Sequence, residues 1–197
     1  MNTKHVKVYH RLFILLVFLT ATWQLGSAAY IHVKAIVAQQ LLQSAWDKTL
    51  QGEKQVKPWG WADTWPIARM QVPAYNEDMI VLAGDSGRNL AFGPAYRFGS
   101  AEPGRQGVSL ISAHRDTHFR FLKDIIIGDK IKIHTDKGEL IIYEVMQTEI
   151  VSKADVQIEL GSRNKELILV TCYPFNNIMP DTDLRYLVYA KEVQKIS

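Results

Sequence analysis

The amino-acid sequence predicts an all-β domain, a closed or nearly closed β-barrel with a few short helices, preceded by an N-terminal transmembrane helix. Three observations lead to this fold class. Residues 12–31 carry no charged side chain, the chain after Pro66 breaks into short β-type runs, and only two short stretches between those runs have helical character. Seven or eight strands with so little helix favour a barrel over a βαβ sheet.

The first element is an apolar helix with basic residues in front of it. Residues 12–31 are uncharged, and a helix of this length rises roughly 30 Å, the thickness of a hydrocarbon core. Lys4, Lys7 and Arg11 precede it, so the positive-inside rule keeps the N-terminus in the cytoplasm and exports the rest. A cleaved signal peptide is the alternative, since Gly-Ser-Ala-Ala at 26–29 offers a cleavage site.

Helical character continues beyond this stretch, which favours an uncleaved anchor. Residues 31–50 keep apolar side chains at helical spacing, and Gly52 ends the pattern. We therefore predict three regions. They are a cytoplasmic tip and membrane anchor in 1–31, a helical stalk and linker in 32–58, and the folded domain in 59–197. The helix of the second region is either a stalk or a helix lying against the domain.

The folded domain alternates β-type runs with Gly, Pro, Asn and Asp. The predicted strands cover residues 67–72, 79–83, 108–113, 130–135, 139–146, 166–172 and 184–193. Thr-Asp-Lys-Gly at 135–138 predicts a tight hairpin between two of them. Short helical pieces are expected at 87–92 and 117–124.

Composition and charge exclude several classes of protein. With 47% hydrophobic and 22% charged residues the chain is folded, and its single cysteine excludes disulfide scaffolds and multi-cysteine metal sites. Residues 1–46 hold four basic residues and no acid, whereas the remaining 151 residues hold 19 basic against 20 acidic. A nearly neutral domain lacks the basic face that nucleic acid requires, so we expect no nucleic acid partner.

Three candidate catalytic residues stand at the ends of predicted strands. Cys172 closes one run, His114 follows another, and Arg185 begins the last. Free cysteines are most often small buried hydrophobes, but an unpaired thiol in an exported protein points to a reactive group. A thiol with an ordinary pKa of about 8.5 needs a nearby imidazole or positive charge to ionise at neutral pH. An imidazole can also protonate a leaving amine and a guanidinium can stabilise an oxyanion, so the three predict a thiol acyl-transfer site.

The sequence around these residues resembles the sortase family. Ile-Leu-Val-Thr-Cys at 168–172 is similar to the Thr-Leu-x-Thr-Cys motif of sortases, and Ala-His-Arg at 113–115 is similar to their Gly-His motif. Arg185 matches the arginine on the strand that follows the cysteine. The resemblance covers residues 59–190 and is closest to the class GN sortases of Gram-negative bacteria.

This resemblance implies an eight-stranded sortase β-barrel and a cysteine transpeptidase. Cys172 would attack the Thr-Gly bond of a Leu-Pro-x-Thr-Gly-like sorting signal, forming a thioacyl intermediate that an amine resolves. His114 would act as general acid and then as base, and Arg185 would hold the substrate and the oxyanion. Thr171 and Ala113 are the further predicted substrate contacts.

The resemblance also implies the surroundings of the enzyme. Its partner would be an exported protein with a C-terminal sorting signal, and it would sit in the inner membrane as a single-pass protein with its catalytic domain in the periplasm. We expect no cofactor and no metal: His114 and His118 are four residues apart, but the His-Glu-x-x-His pattern is missing. Ala113 and Ile168 depart from the glycine and threonine usual in the family, and neither carries the reaction.

Two other functions stay open at this point. A peptidoglycan L,D-transpeptidase is also an exported cysteine-histidine enzyme, although its Ser-x-Gly-Cys-type motif is absent around Cys172. The chain is alternatively a catalytically silent, membrane-anchored binding module. Arg115 and Asp116 either orient His114 or pair with each other at the barrel rim, and the ion pair is favoured because surface ion pairs are common. His134 is interpreted as a residue of the barrel wall.

Overall fold

The computed structural model describes residues 3–154, 160–177 and 182–193, with side chains described from residue 11 onward. A long helix, α1, covers Thr3–Leu50. The eight strands are β1 Pro66–Val72, β2 Glu77–Ala83, β3 Ala95–Tyr96, β4 Gly107–Ser112, β5 Lys130–Thr135, β6 Leu140–Ser152, β7 Lys165–Tyr173 and β8 Leu184–Glu192. Short helical segments cover Pro73–Tyr75, Gly87–Leu90 (α2) and Arg120–Lys123.

The strands close into a barrel in the order β1-β2-β3-β4-β7-β8-β6-β5. The pairs β2–β3 and β4–β7 are parallel and the other pairs are antiparallel. The parallel pairing brings the carboxyl ends of β4 and β7 together, and the antiparallel β7–β8 pairing adds the start of β8 to the same end. The prediction of an eight-stranded all-β barrel with short helices is confirmed.

The errors in the predicted elements have local causes. β3 has only two residues, too few to show an alternating pattern. β6 runs to Ser152, beyond the predicted end at residue 146. Its register with β8 shifts between Val145 and Gln147, and such a bulge interrupts the alternation by which a strand is recognised. The helix predicted at 117–124 is reduced to a 3₁₀ turn at Arg120–Lys123.

Alternate side chains of the strands fill the barrel. Ile111 of β4, Leu169 of β7 and Val188 of β8 belong to one buried cluster inside it. The residues between them in sequence face the other way, because successive side chains of a strand point to opposite faces. Leu110 of β4 and Ile168 of β7 accordingly form a second buried cluster on the outer face.

The chain forms two compact units, Met1–Gln40 and Leu41–Ser197. In the first, the apolar side chains of α1 are exposed from Leu12 onward. Within the described part of the chain, α1 is the one helix long and apolar enough to cross a membrane, and a signal sequence near an N-terminus would pass the same test.

The last turns of α1 belong to the second unit, the barrel unit. Leu42, Ala45 and Trp46 are buried there, and Leu42 packs against Leu82 and Ala95 on the outside of the barrel wall. Of the two predicted roles for this stretch, a stalk or a helix lying against the domain, its last turns take the second. The apolar stripe of an amphipathic helix does not reveal which surface will cover it, so the sequence leaves both roles open.

Candidate active site

The thiol lies on the middle strand of three that meet at one end of the barrel. Cys172 is the next-to-last residue of β7 and is half-buried. In the antiparallel pairing of β7 with β8, it stands directly opposite Arg185. Residues opposed in this way have Cβ atoms about 4.5–5.5 Å apart. The guanidinium is therefore carried by the residue of β8 that is nearest to the thiol.

His114 approaches from the strand on the other side. Ser112 of β4 pairs with Val170 of β7, and the main-chain N–H of Ala113 donates to the carbonyl oxygen of Val170 at 3.2 Å, which extends the ladder. His114 and Cys172 each follow this pair by two residues, so they come level at the same barrel end. His114 is exposed. The structure thus brings together the three residues that the sequence singled out.

All three residues share the outer face of the sheet. Residues two or four apart along a strand point to the same face. Cys172 therefore faces the same way as Ile168, and Arg185 the same way as Leu187. His114, just past the end of β4, continues the alternation of Leu110. The outer apolar cluster comprises buried Val108, Leu110, Ile168 and Leu187, with Val151, Val170 and Tyr189 packed against them. Cys172 therefore lies beside a buried apolar cluster on the outer face of the sheet and points away from the barrel interior.

Thr171 and Ala113 support the site from within the barrel. Thr171 is 2% exposed and Ala113 is 5% exposed, and the Thr171 hydroxyl donates to the carbonyl oxygen of Ala113 at 2.8 Å. The bond ties the residue before the cysteine to the residue before the histidine. Both residues were predicted to contact the substrate. Because their side chains face the core, neither offers an exposed side-chain surface for such a contact.

Arg185 is held at its own end of β8. Its Nη1 donates to the carbonyl oxygen of Thr182 at 2.5 Å and to that of Leu184 at 2.9 Å. Among the described residues, Nε and Nη2 have no hydrogen-bond acceptor. A guanidinium has five N–H donors in a rigid fork, and the bonds of Nη1 use at most two of them.

Arg115 differs from its interpretation as a surface residue. It is 6% exposed, and its guanidinium donates to the carbonyl oxygen of Asn177 at 2.9 Å and to the Thr182 hydroxyl at 3.3 Å. Charged residues are mostly exposed unless they are paired. The sequence did not predict the burial of Arg115 because its hydrogen-bond partners are distant along the chain. His134 lies in β5, half-buried, as expected of a wall residue.

His118 interacts electrostatically with His114. The pKa of His118 is lowered from 6.5, first because burial disfavours the charged ring and second because a charged His114 repels it. Residues 115–119 form turns, not helix, so the helical face that would let His114 and His118 share a metal is not formed. His118 is an uncharged neighbour of His114 at neutral pH.

We predict that the bond between Thr171 and Ala113 stabilises the folded barrel. Thr171→Val keeps the shape but leaves the Ala113 carbonyl oxygen buried without this donor, which should lower the free energy of unfolding by about 1–3 kcal/mol. Thr171→Ser keeps the hydroxyl and should lie between the valine variant and the wild type. Urea unfolding measures all three, and a valine variant as stable as the wild type would contradict the assigned role.

We also predict that His118 makes the barrel less stable in acid. The pKa of His118 in the folded chain is below its value near 6.5 in the unfolded chain. Between these two pKa values the unfolded chain binds more protons than the folded chain. The contribution of His118 to the free energy of unfolding is therefore complete above the unfolded-state pKa and is lost as the pH falls toward the folded-state pKa. His118→Gln should flatten this part of the profile. Equal slopes in the variant and the wild type, from urea unfolding at a series of pH values, would disprove the assignment.

Comparison with known proteins identifies the family of the chain. Residues 70–193 match the sortase domain family. Sortase D of Bacillus subtilis strain 168 is 34% identical over 125 residues, which cover 63% of this chain and 62% of that protein. The chain thus spans less than two thirds of the length of this relative.

Solved structures share the fold. The sortase D5 transpeptidase of Clostridium perfringens has a TM-score of 0.63 at 22% identity, covering 80% of this chain and 99% of that one. Sortase A of Corynebacterium diphtheriae has a TM-score of 0.61 at 22% identity, covering 80% and 84%. Since the matched range is well over half of the sequence, and its barrel is that of these proteins, the chain belongs to the sortase family.

Proposed function

We propose that this sortase is a cysteine transpeptidase in which Cys172, His114 and Arg185 carry the reaction. The observation that supports the proposal most strongly is the register of β4, β7 and β8, which sets the three residues level at one barrel end. Sortases as a family are cysteine transpeptidases that act on exported proteins. The residue types and their adjacency are those that acyl transfer through a thioester needs.

The first half of the reaction forms the thioester. The Cys172 thiolate bonds to the carbonyl carbon of the Thr-Gly amide in a Leu-Pro-x-Thr-Gly-like signal, and the carbonyl electron pair moves onto oxygen. Donors of Arg185 stabilise this oxyanion. When the intermediate collapses, the C–N bond breaks, and the proton on the His114 imidazolium goes to the departing glycine nitrogen.

The second half transfers the acyl group to an amine. The acceptor nitrogen attacks the thioester carbonyl carbon, and its proton passes to the now neutral His114. The second tetrahedral intermediate expels the Cys172 thiolate and leaves a new amide. Arg185 stabilises the oxyanion again, and the protonation states of the thiolate and imidazolium return to their starting point.

The partly buried members of the outer apolar cluster, Val151, Val170 and Tyr189, are the proposed contacts for the apolar part of the signal. Val170 precedes Cys172 by two residues on the same face of β7, and Val151 of β6 pairs with Arg185. A leucine and a proline preceding the scissile bond are apolar, so placing them against these side chains removes apolar area from water on both partners. The scissile Thr-Gly bond is then cleaved at the strand ends, where Cys172, His114 and Arg185 lie.

We propose that α1 anchors the enzyme and leaves the barrel unit on the exported side. The length and apolar character of α1, together with Lys4, Lys7 and Arg11 before its uncharged stretch, support this orientation. The proposal that the chain is a class GN sortase rests on sequence motifs alone, because the relatives described above carry class D and class A names. If the chain is a class GN sortase, the membrane is the inner membrane and the barrel lies in the periplasm.

The alternatives have less support. An L,D-transpeptidase is a different cysteine enzyme whose motif is missing around Cys172, and residues 70–193 match the sortase domain. A silent binding module does not account for a half-buried cysteine whose neighbours on the two adjacent strands are a histidine and an arginine. Catalysis therefore separates the two remaining interpretations.

The proposed function is tested with full-length protein, a quenched fluorescent Leu-Pro-x-Thr-Gly peptide series and an amine acceptor. The wild type should cleave a peptide and gain its acyl mass on Cys172, the only cysteine of the chain. Cys172→Ala should do neither. Arg185→Ala should lower turnover by about 100- to 1000-fold, the usual effect of losing one oxyanion donor.

Lys191→Ala is the matched control for Arg185. Lys191 lies on the same face of β8 at the far end of the strand and is paired with Glu166 near the surface, so its loss removes a positive charge without touching the site. Cleavage by Cys172→Ala at the wild-type rate would overturn the mechanism. A wild-type protein that binds the peptides and never becomes acylated would support the binding module instead.

A further inference from the structure

Arg115 directly follows His114 and is almost wholly buried. It is 6% exposed. A buried guanidinium is costly unless its N–H groups are hydrogen-bonded, and removing its partners leaves an uncompensated charge. The partners of this side chain therefore indicate what it holds in place.

Two partners of the Arg115 guanidinium lie in the connection between β7 and β8. Nη2 donates to the main-chain oxygen of Asn177 at 2.9 Å, and Nη1 donates to the hydroxyl of Thr182 at 3.3 Å. Asn177 follows the end of β7, and Thr182 precedes the start of β8. One planar guanidinium thus binds the connection near both of its ends, beside the strand that carries the thiol.

Thr182 is also the residue that binds Arg185. Its main-chain oxygen accepts a hydrogen bond from Arg185 Nη1 at 2.5 Å, while its hydroxyl accepts one from Arg115. A continuous chain of hydrogen bonds therefore runs from the residue beside His114, through Thr182, to Arg185. Both arginines depend on the position of one threonine.

We propose that Arg115 is a positioning residue that acts on acyl transfer through Thr182 and Arg185. The inference rests on the proposed function, since it concerns how the oxyanion donor is aimed. The long side chain of Arg185 has many rotamers, and its bond to the Thr182 carbonyl oxygen restricts them. Arg115 fixes Thr182 in turn, so its loss leaves the guanidinium of Arg185 less well placed for the developing charge.

The test compares variants with and without Arg185, using full-length protein and a peptide that the wild type cleaves. Arg115→Lys keeps the charge but not the fork that reaches two acceptors. Thr182→Val removes the hydroxyl, which accepts from Arg115 at 3.3 Å and donates to the Leu184 carbonyl oxygen at 3.5 Å. Each should lower kcat about tenfold with KM changed less than about twofold, because donor aim matters in the transition state. Arg88→Lys, an exposed arginine of α2, is the matched control and should match the wild type.

The decisive comparison is made in the Arg185→Ala background. If Arg115 acts through Arg185, then Arg115→Lys and Thr182→Val should cause no further loss of kcat once Arg185 is gone. A merely structural role predicts the same fractional loss in both backgrounds, and that result would overturn the inference. If Arg185→Ala leaves acyl transfer unchanged, the proposed role of Arg185 fails first, so the two failures are distinguishable.

A measurement without substrate supports the kinetics. The ¹⁵N guanidinium signal of Arg185, assigned by its disappearance in Arg185→Lys, should show hindered rotation in the wild type and faster rotation in both Arg115→Lys and Thr182→Val. Circular dichroism establishes that each variant is folded, and Thr182→Val serves where Arg115→Lys does not fold. Unchanged rotation of Arg185 in a folded variant would contradict the proposal.

Discussion

The hydrogen-bond ladder that joins β4, β7 and β8 is the constraint on which the site depends. It sets Ser112 against Val170 and Cys172 against Arg185. A slip of one residue would turn every side chain of a strand to the other face and send the thiol into the barrel. The buried interior side chains hold this register, because a slip would move them out of the core. Packing inside the barrel therefore decides where the three residues of the candidate site lie.

The two faces of this three-stranded region have separate tasks. The inner face supplies the apolar core, while the outer face carries the thiol, the imidazole, the guanidinium and the outer apolar cluster. Polar groups between the two faces hydrogen-bond to one another. The Thr171 hydroxyl donates to the Ala113 carbonyl oxygen, and the Arg115 guanidinium donates to Asn177 and Thr182. Such bonds fix the strand ends, where a barrel would otherwise fray.

The sequence predicted the barrel and most of its strands, and it singled out three residues that the fold brings to one barrel end, because alternation, turn residues and family motifs are all local signals. Pairing is not local. Nothing in the sequence reveals that Cys172 and Arg185 are opposed, that the end of α1 is buried on the barrel wall, or that Arg115 finds its acceptors beyond β7. The bulge after Val145 hid half of β6 for the same reason, since it breaks the period that identifies a strand.

The central claim, that Cys172 works as a nucleophile between His114 and Arg185, is tested most directly by its rate of alkylation with iodoacetamide near neutral pH. We predict that the wild type reacts much faster than free cysteine, and that His114→Ala reduces the rate while the protein stays folded. A rate equal to that of an ordinary thiol and unchanged by His114→Ala, or no reaction until the protein is unfolded, would contradict the account.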